Sequence, residues 1–114
     1  MLDPTMQAIQ TSLNGLAARQ RIIAQNLANS ETPGYLAQNV NFEDSLRNAM
    51  ASGDAGQAAI STSTSTDATT PNGNNVNVDQ QTVSLIDTGL RYQLATQSMY
   101  NEFNILRDSL RQDL

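Results

Sequence analysis

The chain has 114 residues, of which 39% are hydrophobic and 4% aromatic, enough for one small domain with a thin core. Its formal net charge of −5 disfavours binding to nucleic acid or to an anionic membrane surface. The sequence has no cysteine, histidine or lysine, so it offers no thiolate nucleophile, imidazole base or Schiff-base amine, and no cysteine or histidine metal ligand. This inventory argues against an enzyme and predicts no catalytic residue, no cofactor and no metal site.

The first predicted element is a long amphipathic helix over residues 4–28. Asp3 followed by Pro4 is typical of a helix start, because Asp accepts a hydrogen bond at the N-cap and Pro needs no amide donor at the first position. Apolar residues then recur at steps of four and three, with Gln20 at the one missing place. This seam consists of Leu2, Met6, Ile9, Leu13, Leu16, Ile23 and Leu27. Such a narrow seam favours packing against another helix, and Gly15 interrupts it only mildly.

The segment Thr32-Pro33-Gly34-Tyr35 predicts a type II turn after this helix. Pro fixes φ at the second position of such a turn, and Gly supplies a positive φ at the third. Asn26 and Asn29 lie one helical turn apart just before it, and their amides could bond the backbone of the returning chain. The simpler alternative is that Asn29 only ends the helix while Asn26 faces water.

Two weaker elements are predicted in the middle of the chain. The apolar spacing over residues 36–42 favours a short extended segment, and Asn41 with Asp44 resembles the cap of a short helix that ends by about residue 53. Residues 51–75 are rich in Ala, Ser, Thr, Gly and Asn and predict a flexible insert, because they have little apolar surface to bury.

A second long helix is predicted from Asp79, as its N-cap, to about Arg111. Its apolar stripe drifts along the helix and contains Val83, Ile86, Leu90, Leu94, Met99, Phe103, Leu106 and Leu110. Because each long helix has a seam, we expect the two to pair with each other and then with neighbouring subunits. The predicted fold is mainly α, an antiparallel coiled-coil-like hairpin of two long terminal helices with the weaker elements between them. The predicted units are 1–35, helix and turn motif; 36–50, extended segment and short helix; 51–75, insert; and 76–114, second helix.

Three sharper chemical interpretations are disfavoured. Glu43 and Asp44 are adjacent, so on a helix they point about 100° apart and cannot face each other as an acid and base pair. The Asn-rich segment 72–79 lacks the glycine and the terminal Glu of a calcium loop, which favours a turn. Tyr92 and Tyr100 lie at helical spacing with Phe103 and are expected to be packing residues.

The string Asn26-Leu27-Ala28-Asn29, followed by Thr32-Pro33-Gly34-Tyr35, resembles the signature of the axial proteins of the bacterial flagellum. Within that group the chain is similar to the FlgB family of proximal rod proteins at both of its ends. The matching positions include Met1-Leu2-Asp3, Arg19-Gln20, Val40, Phe42-Glu43, Leu46, Gly73-Asn74-Asn75-Val76, Asp79, Leu90, Tyr92, Gln97, Phe103, Leu106 and Arg107. The chain departs from the family at Leu36, where relatives often have a basic residue, and at Gln80-Gln81, where they often have an acidic one.

The resemblance implies a structural subunit whose terminal helices assemble into the hollow drive shaft of the basal body, which transmits motor torque to hook and filament. The implied partners are other copies of the chain, other rod proteins, the membrane-embedded MS ring, a rod-base adaptor protein and the flagellar type III export apparatus. Export to this periplasmic site is expected without a cleavable signal peptide, and no apolar run is long enough for membrane insertion. The alternative is a small helical adaptor or secretion substrate that binds one partner without polymerising.

Overall fold

A computed structural model describes residues 3–112 of the chain. Its α-helices are α1 (Pro4–Ala28), α2 (Glu43–Ala51) and α3 (Val78–Gln112). Between them lie the strands β1 (Gln38–Asn41) and β2 (Ser61–Thr64) and a short 3-10 helix (Ala55–Gln57). The mainly α fold with two long terminal helices is therefore confirmed. The molecule is elongated, with a longest extent of 67 Å and a shortest of 15 Å. None of the helices within residues 3–112 combines the length and apolarity needed to cross a membrane.

Helix α1 has the predicted bounds and the predicted start. The carboxylate of Asp3 accepts a hydrogen bond from the backbone N–H of Met6 at 2.8 Å, as an N-cap residue should. The seam residues of α1 that the structure describes are buried or half-buried, namely Met6, Ile9, Leu13, Leu16, Ile23 and Leu27. Leu2, the first position of the predicted seam, lies outside the described residues.

Helices α1 and α3 pack side by side and run antiparallel. Asn26 near the end of α1 bonds the side chain of Gln81 near the start of α3, and the middle of α3 packs against Leu16 and its neighbours. If this register continues along both helices with the same rise per residue, the first turn of α1 lies level with about residue 104 of α3. The last two turns of α3 therefore project beyond α1.

The start of α3 differs from the prediction. The helix begins at Val78, and the side-chain oxygen of Asn77 accepts a hydrogen bond from the backbone N–H of Gln80 at 3.0 Å. Asn77 therefore caps the helix, and Asp79 lies inside its first turn. The prediction that Asp79 is the N-cap is wrong by two residues, because Asn77 is also a favoured capping residue and an acid is equally suited to the first turn of a helix.

The predicted cap of α2 is also wrong. Helix α2 begins at Glu43 after Phe42, and within the described chain its N-terminus has no side-chain cap. Asn41 is the last residue of β1, and its side-chain amide donates to the hydroxyl of Ser63 on β2 at 3.0 Å. The side chain of Asn41, which the sequence pattern assigned to the helix cap, therefore bonds the neighbouring strand instead.

The insert is ordered as a strand and a 3-10 helix, although its composition predicts neither. Strand β2 pairs antiparallel with β1, with Gln38 opposite Thr64 and Asn41 opposite Ser61. All four residues of β2 are exposed, so hydrogen bonding rather than apolar burial holds this strand. The 3-10 helix is attached to α1 because the hydroxyl of Thr11 donates to the backbone oxygen of Ala55 at 3.1 Å.

A small core lies where α1 meets the β1–α2 connection. Leu16, Val40 and Phe42 form its buried cluster. The ring of Phe42 lies directly on Gly15, where an added Cβ would come within 2.5 Å of the ring. Gly15, which interrupts the helix pattern in the sequence, is thus the position where α1 makes room for an aromatic side chain.

Candidate functional site

The turn that follows α1 has the predicted type II form. Gly34 has a φ of +76°, and the backbone N–H of Tyr35 donates to the oxygen of Thr32 at 3.2 Å. A second turn packs against it at Gly73, which has a φ of +86°. A Cβ at Gly73 would lie 3.2 Å from the Cα of Gly34, so the close approach of the two turns requires glycine there.

Asn26 is the centre of the hydrogen bonding beside these turns. Its side chain is completely buried, and its oxygen accepts from the backbone N–H of Gln38 and from the hydroxyl of Tyr35, both at 3.0 Å. Its amide nitrogen donates to the backbone oxygen of Gln38 at 2.9 Å and to the side-chain oxygen of Gln81 at 3.1 Å. Asn26 therefore bonds both backbone groups of a β1 residue and ties α3 to them. The prediction that its amide bonds the returning chain is confirmed, and the alternative that it faces water is wrong.

Asn29 has a more local role than Asn26. Its amide nitrogen donates to the oxygen of Gln25 at 2.9 Å, and its side-chain oxygen accepts from the hydroxyl of Thr32 at 3.1 Å. These two bonds connect the last turn of α1 to the type II turn that follows it. Of the other motif residues, Leu27 and Tyr35 are half-buried and Ala28, Thr32, Pro33 and Gly34 are exposed.

Sequence reasoning missed the roles of Asn74 and Asn75, which are 3% and 7% exposed. The amide nitrogen of Asn74 donates to the backbone oxygens of Asn29 and Thr32, both at 2.8 Å. The side-chain oxygen of Asn75 accepts from the backbone N–H of Ala37 at 2.7 Å. An Asn-rich segment after an insert signals a turn, and nothing in its local pattern indicates burial. We call the assembly of the two turns with Asn26, Asn74, Asn75 and Gln81 the amide junction.

Arg19 fastens α1 to the start of α2. Its guanidinium donates to the backbone oxygen of Val40 at 2.8 Å, pairs with both carboxylate oxygens of Glu43, and lies 4.9 Å from the centre of the Phe42 ring. The hydrogen bond from Arg19 lowers the pKa of Glu43 below its ordinary value, against a smaller opposing effect of burial.

The face of α3 that packs on α1 is only partly the predicted one, because of the predicted seam residues Met99 lies on it and the first four do not. Gln81 and Thr88 are buried there, and Leu85, Tyr92, Ala95 and Met99 are half-buried. The first four predicted seam residues point away from α1, with exposed fractions of 66% for Val83, 61% for Ile86, 57% for Leu90 and 69% for Leu94. We call these four the outer stripe. Their predicted pairing with α1 is wrong, because α3 is rotated so that a mixed row, which begins with Gln81 bonded to Asn26, faces α1 instead.

The last seam residues of α3 form a separate surface. Phe103, Leu106 and Leu110 are 54%, 44% and 60% exposed, and we call them the overhang. At about 100° per residue they lie on the same side of α3 as Thr88 and Tyr92, the side that packs on α1. They are exposed because α3 there reaches the first turn of α1 and passes beyond it. The single drifting stripe of the sequence is thus two surfaces on opposite sides of one helix.

Within residues 3–112, no group of three acidic side chains converges in a way that could hold a metal ion. The buried polar groups of the amide junction are carboxamides that are hydrogen-bonded to the protein. Its chemistry is that of a structural joint between the two long helices.

Comparison with known proteins gives a consistent result. Residues 6–35 match the family model of the flagella basal body rod protein. The chain is 30% identical, over an alignment 131 positions long, to the flagellar basal body rod protein FlgB of Escherichia coli, covering 96% of this chain and 95% of the relative. It is 29% identical, over an alignment 124 positions long, to the flagellar basal body rod protein FlgB of Bacillus subtilis, with the same coverage of 96% and 95%. The similarity therefore spans both long helices as well as the turn motif.

Proposed function

Because the chain belongs to the FlgB family of flagellar basal body rod proteins, we propose that it is a structural subunit of the proximal rod, the hollow shaft that transmits torque to hook and filament. The observation that carries this function is the apolar surface of α3. Ten large hydrophobic side chains of this helix are each at least 44% exposed in the single chain. Neighbouring subunits would bury them, which stabilises the subunit through assembly.

The proposed partners follow from this role. The chain assembles with further copies of itself and with other rod proteins, and its rod is seated on the MS ring through the rod-base adaptor protein. It reaches the periplasm through the flagellar type III export apparatus without a cleavable signal peptide. Family membership supports a structural role in the basal body rather than catalysis.

We assign the predicted site residues to two tasks. The motif residues from Asn26 to Tyr35 fix the geometry of the amide junction. The seam of α1 holds the interior of the subunit, while the outer stripe and the overhang of α3 contact neighbouring subunits. The charge distribution is compatible with this division, because the charges within residues 83–94 and within residues 103–110 are one of each sign.

The decisive experiment places a charge on the outer stripe in a strain of the source bacterium that lacks the natural gene. Leu94→Asp should abolish incorporation into isolated basal bodies and swimming in soft agar, because assembly would bury an unpaired carboxylate. Thr96→Asp is the matched control, since it adds the same charge at an exposed position about 200° from Leu94 around the helix. It should leave incorporation and swimming intact.

Two outcomes would count against this function. Normal incorporation of Leu94→Asp would remove the outer stripe from the interface. Absence of the natural chain from purified basal bodies would refute the rod assignment itself and favour the adaptor alternative, which predicts a discrete complex with one partner.

A further inference from the structure

The chain contains two Asn-Gly pairs, Asn14-Gly15 in α1 and Asn72-Gly73 in the second turn of the amide junction. Asparagine is thermolabile, and it deamidates most readily before glycine, because glycine has no side chain to shield its backbone nitrogen. At both glycines the fold packs a neighbouring residue too closely for an added Cβ. The fold therefore needs glycine at the two places where glycine makes the preceding asparagine labile.

We propose that Asn72-Gly73 is a site of spontaneous deamidation that is closed in the folded chain and open in the unfolded chain. The isoaspartate that forms there prevents the chain from building the amide junction. The pair thus limits how long a chain can stay unfolded and still fold. This modification needs only the chain and water, so it is independent of the rod function.

The reaction takes place between neighbouring groups of the chain. The backbone nitrogen of Gly73 loses its proton and attacks Cγ of Asn72, a C–N bond forms, and the side-chain nitrogen leaves with that proton as ammonia. Water then adds to one of the two carbonyl carbons of the five-membered succinimide ring and opens it. Opening at the former side-chain carbon gives aspartate, and opening at the backbone carbon gives isoaspartate. Nothing is oxidised or reduced.

In the folded chain the peptide group between Asn72 and Gly73 is held at both ends. Its N–H donates to the backbone oxygen of Thr70 at 2.8 Å, which closes a β-turn with Pro71 at the second position. Its oxygen accepts from the backbone N–H of Gly34 at 2.9 Å. Any rotation of this peptide group therefore breaks two hydrogen bonds.

Ring closure requires such a rotation. The φ of Asn72 is not positive and its peptide bonds are trans, so the turn is of type I, in which the third residue has a ψ of about 0°. The planar ring needs the nitrogen of Gly73 on the same side as Cβ, roughly a third of a turn away. Each hydrogen bond that must open slows the reaction by a factor of about 3 to 10, so the two together slow it roughly 10- to 100-fold.

The side chain of Asn72 is held in the same turn. Its oxygen accepts from the hydroxyl of Thr70 at 2.5 Å and from the backbone N–H of Asn74 at 3.2 Å. The second of these bonds forms an Asx-turn, which directs the side chain past Gly73. Both partners of the reaction are thus fixed apart for as long as the turn exists.

Isoaspartate at position 72 adds one atom to the backbone where the two turns of the amide junction touch. A Cβ at Gly73 would already lie 3.2 Å from the Cα of Gly34, so the turn has no room to bulge. Asn74 and Asn75 follow directly, and their side chains must reach the first turn and the chain before β1. Aspartate keeps the backbone length, and its oxygens can accept the same two hydrogen bonds.

The first experiment compares the two states of the purified chain. The chain is kept in mildly alkaline buffer with or without urea and then cleaved with trypsin, which cuts only after arginine in this lysine-free sequence. Mass spectrometry reads deamidation at position 72 in peptide 48–91 and at position 14 in peptide 1–19. Position 72 should react roughly 10- to 100-fold more slowly in the folded chain. Equal rates in both states, or no reaction at this position in urea, would overturn the proposal.

A matched pair of variants tests the turn itself. Thr70→Val removes the hydroxyl that holds the side chain of Asn72, so it should speed the reaction of the folded chain by a factor of about 3 to 10 and leave the rate in urea unchanged. Thr69→Val makes the same change at the exposed neighbouring position and should alter neither rate. Slower reaction of folded Thr70→Val would show that the turn promotes deamidation, which contradicts the proposal.

The second experiment asks whether the modified chain refolds. Asn14→Gln removes the other labile pair at a side chain that bonds Gln10 on the surface. This variant is aged in urea, the urea is removed, and folded monomers are separated from chains that do not refold. Isoaspartate, measured in each pool by enzymatic methylation of its carboxylate, should be several-fold enriched in the chains that do not refold. Asn72→Asp should refold like the natural chain, because it has the charge of the product with a normal backbone. Equal isoaspartate at position 72 in the two pools would overturn the proposal.

Discussion

Replacement of Asn26 by leucine removes four hydrogen bonds from the amide junction while keeping the branched shape and the number of side-chain heavy atoms. The backbone N–H and oxygen of Gln38, the hydroxyl of Tyr35 and the side-chain oxygen of Gln81 each lose a partner. A buried polar group without a partner costs about 1 to 3 kcal/mol. Gln38 and Tyr35 are half-buried, so water can replace part of their loss, whereas Gln81 is 9% exposed and cannot easily be rehydrated.

We therefore expect Asn26→Leu to lower the free energy of unfolding by about 3 to 5 kcal/mol. A domain of this size has a total stability of about 5 to 15 kcal/mol, and a thin core places this chain near the lower limit. The measurement is urea unfolding of the purified chain, followed by far-ultraviolet circular dichroism. Most of the helical signal of the variant should be lost at urea concentrations at which the natural chain is still folded.

Asn29→Leu is the matched control for this change. Its side chain bonds Gln25 and Thr32 at an exposed helix end, so its loss should cost less than about 1.5 kcal/mol. Tyr35→Phe removes a single donor to Asn26 and should give an intermediate result. If Asn26→Leu destabilised the chain no more than Asn29→Leu, the amide junction would not be the joint that holds the two long helices together.

The two helical glycines and the ion pair of Glu43 give further predictions. Gly15→Ala should destabilise the chain by about 1 to 3 kcal/mol, because the added Cβ would collide with the ring of Phe42. Gly89→Ala should stabilise the chain by up to about 1 kcal/mol, because alanine favours the helix more than glycine does. The Cβ added at Gly89 would lie 3.9 Å from its nearest neighbour, so it causes no collision. Thermal unfolding measures both, and effects of the same sign would contradict the packing. Arg19 lowers the pKa of Glu43 in the folded chain. The ion pair therefore stabilises the fold at pH values above about 4.3, the pKa of a glutamate in the unfolded chain. This stabilisation is lost as the pH falls through the lower pKa that Glu43 has in the folded chain. Glu43→Gln should thus cost up to about 1 kcal/mol at pH 7 and progressively less below about pH 4, and a cost independent of pH would refute this assignment.

The features that the sequence predicts correctly depend on neighbours in the chain. The cap at Asp3 and the turn around Gly34 follow from two or three adjacent residues whose backbone preferences are strong. The length of α1 follows from a repeated seam. The amides of Asn26 and Asn29 could be placed near the turn for the same reason, because the helix fixes their positions relative to it.

The features that the sequence does not predict depend on contacts between distant segments. The rotation of α3 is fixed by Gln81 bonding Asn26, which lies 55 residues away in the chain. Burial of Asn74 and Asn75 likewise depends on the positions of α1 and β1. Strand β2 forms because β1 presents an edge to it. One local signal was available, since the step of five residues from Leu94 to Met99 rotates the apolar pattern by about 140° and so separates the outer stripe from the overhang.

Polar and apolar residues are not divided between the two sides of α3 as they are in a self-sufficient helical hairpin. Toward α1 the helix buries Gln81 and Thr88, while leucine and isoleucine side chains of the outer stripe lie in solvent. A buried amide can be satisfied in few orientations, so it fixes the angle between the helices without adding much apolar burial. The exposed stripe has the opposite properties, because apolar contact is strong but weakly directional. The shape of such a subunit is fixed before it assembles. The favourable free energy of burying the outer stripe is gained only when neighbouring subunits cover that stripe.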